Sequence, residues 1–156
     1  MSSFVLRVTT KAQFLIIAAI GVSLAADNTQ DLASKKDLDG LQGSWKLVSA
    51  MRDGQALPKD KVKKTTIVIK DDTFLFPDSA EYATSKEGTI KLDATAKPKQ
   101  MDATSTEKEV MLGIYALDEG GYKVCFAPAG KPRPTALGSS PGSGYILQVW
   151  ARQKNH

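Results

Sequence analysis

The sequence predicts an all-β fold, an antiparallel sandwich or closed barrel of about eight strands, preceded by an N-terminal signal helix. Three observations carry this. From Trp45 onward, short β-branched and aromatic runs alternate with turn residues at nearly regular spacing. That part of the chain holds no long stretch of helical periodicity. The N-terminal 25 residues have the make-up of an export signal.

The export segment begins with two cations, Arg7 and Lys11, followed by 15 uncharged residues from Ala12 to Ala26. Phe14 to Ala19 is aliphatic apart from its first ring, and small residues gather from Gly21 onward. Signal peptidase reads small side chains at the third and first positions before its cut. Ser23 and Ala25 satisfy it, so cleavage is expected after Ala25, with residues 1–25 as signal peptide. A cut after Ala26 would place Leu24 at the third position. The uncharged run is shorter than the ~20 residues that span a bilayer, so no stable membrane span is expected after cleavage. The alternative is an uncleaved N-terminal anchor. Lone Cys125 has no partner for an internal disulfide, and an exported chain without disulfides points to a bacterial envelope, periplasmic or extracellular. Loss of Arg7 and Lys11 lowers the formal charge from +4 to +2, so basicity argues little for nucleic-acid binding.

Asp27 to Lys36 is polar and of mixed charge, and residues 26–36 are expected to form a flexible leader. The domain is expected over 37–156, with one helical turn in Asp37–Gln42. Trp45–Met51 reads as the first strand, closed by Arg52-Asp53-Gly54, and Leu57–Val62 holds a helical turn after Pro58. Lys64–Lys70 is strongly β-branched. Asp71-Asp72 turns it into Thr73–Phe76, which Pro77 ends. Glu81–Ser85 and Thr89–Leu92 read as one interrupted strand or a hairpin around Lys86-Glu87-Gly88. Lys99–Ser105 is a weaker strand. Val110–Leu117 and Tyr122–Ala127 flank Asp118-Glu119-Gly120-Gly121, the clearest hairpin of the chain. Gly144–Arg152 is the last strand. Between them, Pro128 to Gly144 is rich in proline, glycine and serine, an unusually long connection of a kind that often carries function.

Several of these segments occur in a familiar order. They are Leu41-Gln42-Gly43-Ser44-Trp45, Asp53-Gly54, Leu112-Gly113-Ile114-Tyr115-Ala116-Leu117-Asp118 and Cys125-Phe126-Ala127-Pro128. Gly130-Lys131-Pro132-Arg133-Pro134 and Pro141-Gly142-Ser143-Gly144 complete the series. Together they resemble an uncharacterised family of exported lipocalin-like domains abundant in planctomycete bacteria, over roughly Asp37 to Arg152. The resemblance implies an up-and-down, lipocalin-like β-barrel without an established activity. It further implies that Trp45, of the Gly-x-Trp motif, closes the barrel base and that Arg152 packs upon it. Gly120-Gly121-Tyr122 and Ala136-Leu137 depart from the family pattern, at a turn and at a position more often aromatic.

Residue chemistry argues against an enzyme. The one histidine is His156, the last residue. A Ser-His-Asp or Cys-His arrangement needs an oriented imidazole inside the fold, and a zinc site needs more histidine or thiolate than this chain holds. Asp71-Asp72, Asp118-Glu119 and the Glu107/Glu109 pair fall at expected turns, where carboxylates serve turn geometry and solvation. Gly138 to Gly144 precedes a strand where a phosphate loop would precede a helix. Neither cofactor nor metal is expected. Cys125 alternates with Val124 and Phe126 and reads as a small buried hydrophobe.

The barrel interior is the expected seat of function. Side chains alternate in and out along a strand, so one inward residue fixes its row. With Trp45 inward, Leu47, Ser49 and Met51 should follow, as should the rows of Ile67 and Ile69, Phe74 and Phe76, Tyr115 and Leu117, and Tyr122, Val124 and Phe126. The candidate ligand-binding residues are Trp45, Leu47, Ile67, Ile69, Phe74, Tyr115 and Phe126. Eight strands enclose either a side-chain core or room for one small ligand. Two functions follow: a non-enzymatic binder of a small apolar ligand, or a structural or protein-interaction domain of the envelope with a filled barrel. Lys131 and Arg133, held between prolines, are expected to form a stiff cationic loop tip that closes over the barrel mouth or meets an anionic partner. No aromatic residues interleave with them, which argues against nucleic acid.

Overall fold

The computed structural model describes residues 21–78 and 86–154, with side chains from residue 26 onward. In chain order it builds helix α1 (Gly21–Leu41), strand β1 (Gly43–Arg52), a two-residue strand β2 (Gln55–Ala56) and helix α2 (Lys59–Lys64). Strands β3 (Thr66–Lys70), β4 (Thr73–Leu75), β5 (Glu87–Asp93), β6 (Gln100–Ser105), β7 (Val110–Leu117), β8 (Gly121–Phe126) and β9 (Ile146–Arg152) follow. Every pairing is antiparallel and sequence neighbours lie side by side from β3 to β9. β1 pairs with both β3 and β9, so eight strands close an up-and-down barrel, and β2 is a short addition to β1. Closure removes the exposed edges that an open sheet of this length would present.

The turns form where the sequence supplies their chemistry. Arg52 pairs with Gln55, leaving Asp53-Gly54 as a two-residue turn with φ of 50° and 78°. Positive φ at both positions gives the mirror-image turn whose twist matches antiparallel strands. A Cβ on Gly54 would lie 2.5 Å from Pro141 Cδ, so glycine is needed there for space as well. Between β7 and β8 the Asp118 carboxylate accepts the N–H groups of Gly120 (2.9 Å) and Gly121 (2.7 Å), satisfying the tip of that hairpin.

Four expectations need correction. Residues 26–36 are not a flexible leader: α1 runs through them and on to Leu41, far beyond one turn at 37–42. Its inner face is Gln30, Ala33, Ser34, Asp37, Leu38 and Leu41, spaced by three and four but half polar, while Leu32 points out at 63 % exposure. Helical spacing is therefore present without the apolar stripe that reveals it in a sequence. In β1 the register shifts between Leu47 and Ser49, so one extra residue reverses the alternation. Ala50 turns inward and is buried, whereas Ser49, expected inside, is exposed and Met51 is half-buried.

The third correction concerns 128–144, which carries no strand or helix yet is held along its length. The Arg133 guanidinium forms an ion pair with Asp102 and donates to the Gly113 carbonyl at 2.7 Å. Cys125 Sγ donates to the Gly138 carbonyl at 3.2 Å, and Gly54 N donates to Ser139 Oγ at 2.9 Å. The segment is bonded to β7 at Gly113 and to β8 at Cys125, and Ile114, Cys125 and Pro134 are all fully buried. Arg133 is thus a clamp on the barrel wall and not a free loop tip; Lys131 alone is exposed. Finally, β5 starts at Glu87, so Lys86-Glu87-Gly88 enters a strand instead of turning a hairpin. The expected strand at Glu81–Ser85 lies outside the described residues, as do the signal residues 1–20 and His156.

Candidate functional site

The barrel has two unlike ends. At the base lie the start of β1, the end of β9, the β3–β4, β5–β6 and β7–β8 turns and the C-terminal half of α1. Trp45 is fully buried here, and its indole N–H donates to the Leu41 carbonyl at 2.7 Å. The Arg152 guanidinium stacks 4.1 Å from the Trp45 ring centroid and donates to the carbonyls of Gln42 (2.8 Å) and Gly40 (2.6 Å). It thereby satisfies carbonyls that the end of α1 leaves without intrahelical partners. The expected pairing of Arg152 with Trp45 is present, and it also fastens the helix. Asp37 adds a second fastening, accepting the Tyr115 hydroxyl at 2.7 Å and Lys99 Nζ at 2.6 Å. Burial, followed by the neighbouring Asp37 carboxylate, holds the Tyr115 phenol far above the usual tyrosine range.

Above this floor is an aromatic layer. Trp45 meets Tyr122 edge-on with centroids 5.0 Å apart, Tyr122 stacks on Trp150 at 6.0 Å, and Phe76 lies 6.2 Å from Trp150 and 5.9 Å from Phe74. Beyond the layer the barrel is hollow. A cavity of about 80 Å³ reaches the opposite end, at the β6–β7 turn, with the half-buried Ser105 and exposed Glu109 at its rim. Its wall is apolar except for Tyr122, Gln148 and those two rim residues. No lysine or arginine is among the described residues that line it.

No family model, curated protein or solved structure matches this chain. The site therefore rests on its geometry.

Of the seven candidate ligand-binding residues, Ile67, Ile69, Phe74 and Phe126 line the cavity. Trp45, Leu47 and Tyr115 also belong to the interior core, but they fill or fasten the base and do not border the cavity. Met101, Ala103 and Ser105 of β6 and Met111 of β7 line it and were not singled out by sequence. The signal was the alternation Met101, Ala103, Ser105, masked by a strand otherwise made of polar and small residues.

Small inward residues decide where the void lies. Gly88 and Gly113 both face the interior, yet neither leaves space: a Cβ on Gly113 would sit 2.5 Å from Phe126 Cδ1, and one on Gly88 would sit 2.9 Å from the Phe74 ring. Each ring lies over the glycine opposite it in the register. Ala103, by contrast, borders open volume.

The turn carboxylates stand apart from this cavity, Glu109 at its rim excepted. Asp71 sits in a left-handed turn (φ 54°), and its backbone N–H donates to Gln42 Oε1 at 2.7 Å. Burial raises the Cys125 thiol above its usual range, an environment that disfavours the thiolate.

Proposed function

We propose that this chain is an exported, non-enzymatic binding protein that takes one small, largely apolar ligand into its barrel. The observation that carries the reading is the apolar cavity of about 80 Å³ above a sealed aromatic floor. A barrel of eight strands is wide enough for a small ligand only if part of its interior is left unfilled, and here Ala103 borders such space. The export segment and the resemblance to exported lipocalin-like domains support the same reading.

Two measurements test it. Organic extracts of the purified protein, examined by mass spectrometry, are expected to release a retained apolar compound. Thermal melting with and without a lipid extract is expected to show a raised midpoint, because a ligand that binds only the folded state stabilises it. Ala103→Phe fills the cavity and should abolish both effects while the barrel still folds. No retained compound and no thermal shift would reject a binder. That outcome would favour a structural or interaction domain, a reading supported by the packed lower half of the barrel.

A further inference from the structure

The cavity wall carries information about what its occupant looks like. Tyr122 is only 4 % exposed and borders the cavity, and its hydroxyl makes no hydrogen bond among the described residues. Among the described residues no fully enclosed polar side-chain atom lacks a partner, so the Tyr122 hydroxyl is not fully enclosed, and the cavity is the open space that this side chain borders. Tyr115 supplies the contrast: equally inward, it is satisfied by Asp37. A hydroxyl so sheltered from bulk water and without a protein partner there is a ready partner for a polar atom entering the cavity. Its ring is fixed between Trp45 and Trp150, so the hydroxyl is held in one place.

We propose, building on the binder reading, that the cavity selects a small neutral ligand with an apolar body and one hydrogen-bonding end group, and that Tyr122 recognises that end group. Charge sets the first half of this selection. An anionic ligand would meet no cation on the lining and would pass Glu109 at the rim, while Arg133 faces away, bound to Asp102 on the outer wall. An unpaired carboxylate in an apolar site is strongly disfavoured. Size sets the second. At about 10–15 Å³ for each water-sized unit, the cavity admits roughly five to eight non-hydrogen atoms, the scale of a phenol or a short alcohol. Burial keeps the Tyr122 phenol protonated, so it can both donate and accept. Gln148, whose Oε1 accepts the Trp150 indole N–H at 3.2 Å, is a second neutral polar group on the same wall.

Phenol and toluene share one shape and differ by the hydroxyl, so they isolate the hydrogen bond. Titrating the full-length protein and Tyr122→Phe with each, by calorimetry, reads the phenol-to-toluene affinity ratio in both. The ratio is expected to fall about three- to tenfold in Tyr122→Phe, the worth of one neutral hydrogen bond, with toluene affinity kept. Benzoate should bind the unaltered protein at least about tenfold more weakly than phenol. An equal ratio in the two proteins, or benzoate binding as tightly as phenol, would overturn the inference while leaving the binder reading intact. Failure of toluene and phenol alike to bind the unaltered protein would remove the binder reading itself. The benzoate comparison needs no variant, so it stands even if Tyr122→Phe folds poorly.

Discussion

Replacing Arg152 by alanine tests how the base of the barrel is closed. Its guanidinium stacks on Trp45 and donates to two carbonyls at the end of α1, Gln42 O and Gly40 O. An exposed cation over a tryptophan ring contributes about 0.5–1 kcal/mol. The interaction of the charge with the helix C-terminus contributes about 0.3–1 kcal/mol. Two charge-assisted hydrogen bonds would add more if buried, but Arg152 is exposed and its carbonyl partners regain water when it is removed. A net loss of about 1–2 kcal/mol is therefore expected, a fall of roughly 2–8 °C in melting midpoint for a chain of this size. Arg152→Lys keeps the charge but not the planar fork, and should lose about half as much. Urea denaturation gives the free energy, and amide hydrogen exchange gives its location. Protection should drop in residues 30–41 of α1 and at the start of β1, and hold in β6 and β7. A loss under about 0.5 kcal/mol, within the range of ordinary surface substitutions, would refute the latch. Unchanged protection of α1 would do the same.

Three further outcomes follow from the interior and the outer wall. Tyr115 and Tyr122 are both held neutral well above the usual tyrosine range, so folding stability is complete below about pH 10 and declines as the unfolded chain begins to ionise above it. In an ultraviolet absorbance titration these two should ionise only as the barrel unfolds, and a folded protein whose four tyrosines all titrate together near pH 10 would contradict their placement. Gly113→Ala forces the Phe126 ring out of its seat and should cost about 1–3 kcal/mol in urea denaturation; an unchanged midpoint would mean the ring is not packed on that glycine. Cys125 lies wholly buried where 128–144 covers the outer wall, so a thiol reagent such as Ellman's should label it in urea and hardly at all in the folded protein. Arg133→Ala, which removes the clamp to Asp102 and Gly113, should speed that labelling several-fold, while Lys131→Ala should not.

The barrel's local pieces are legible in the order of residues. β-branched runs such as Thr66–Lys70, the Asp53-Gly54 turn and the Asp118–Gly121 hairpin are encoded over a few residues, through backbone sterics and turn hydrogen bonds. Alternation along a regular strand then placed Ile67, Ile69, Phe74 and Phe126 inside, because one inward residue fixes the rest. Tertiary structure decided what lies beyond that range. The bulge after Leu47 reversed the face of β1 without any glycine or proline to announce it. The helix over 27–41 carries a half-polar inner face because its partners are polar as well: Asp37 meets Lys99 and the Tyr115 hydroxyl, and Ser34 Oγ accepts the Ala94 N–H. Arg133 looked like a loop tip because its partners, Asp102 and the Gly113 carbonyl, lie 31 and 20 residues away. The cavity could not be read at all from residue types. Gly88 and Gly113 are the smallest inward residues, yet rings from neighbouring strands fill them, and the void opens at Ala103 instead. Volume inside a barrel is left by the sum of all strands that face it, and only their mutual register settles that sum.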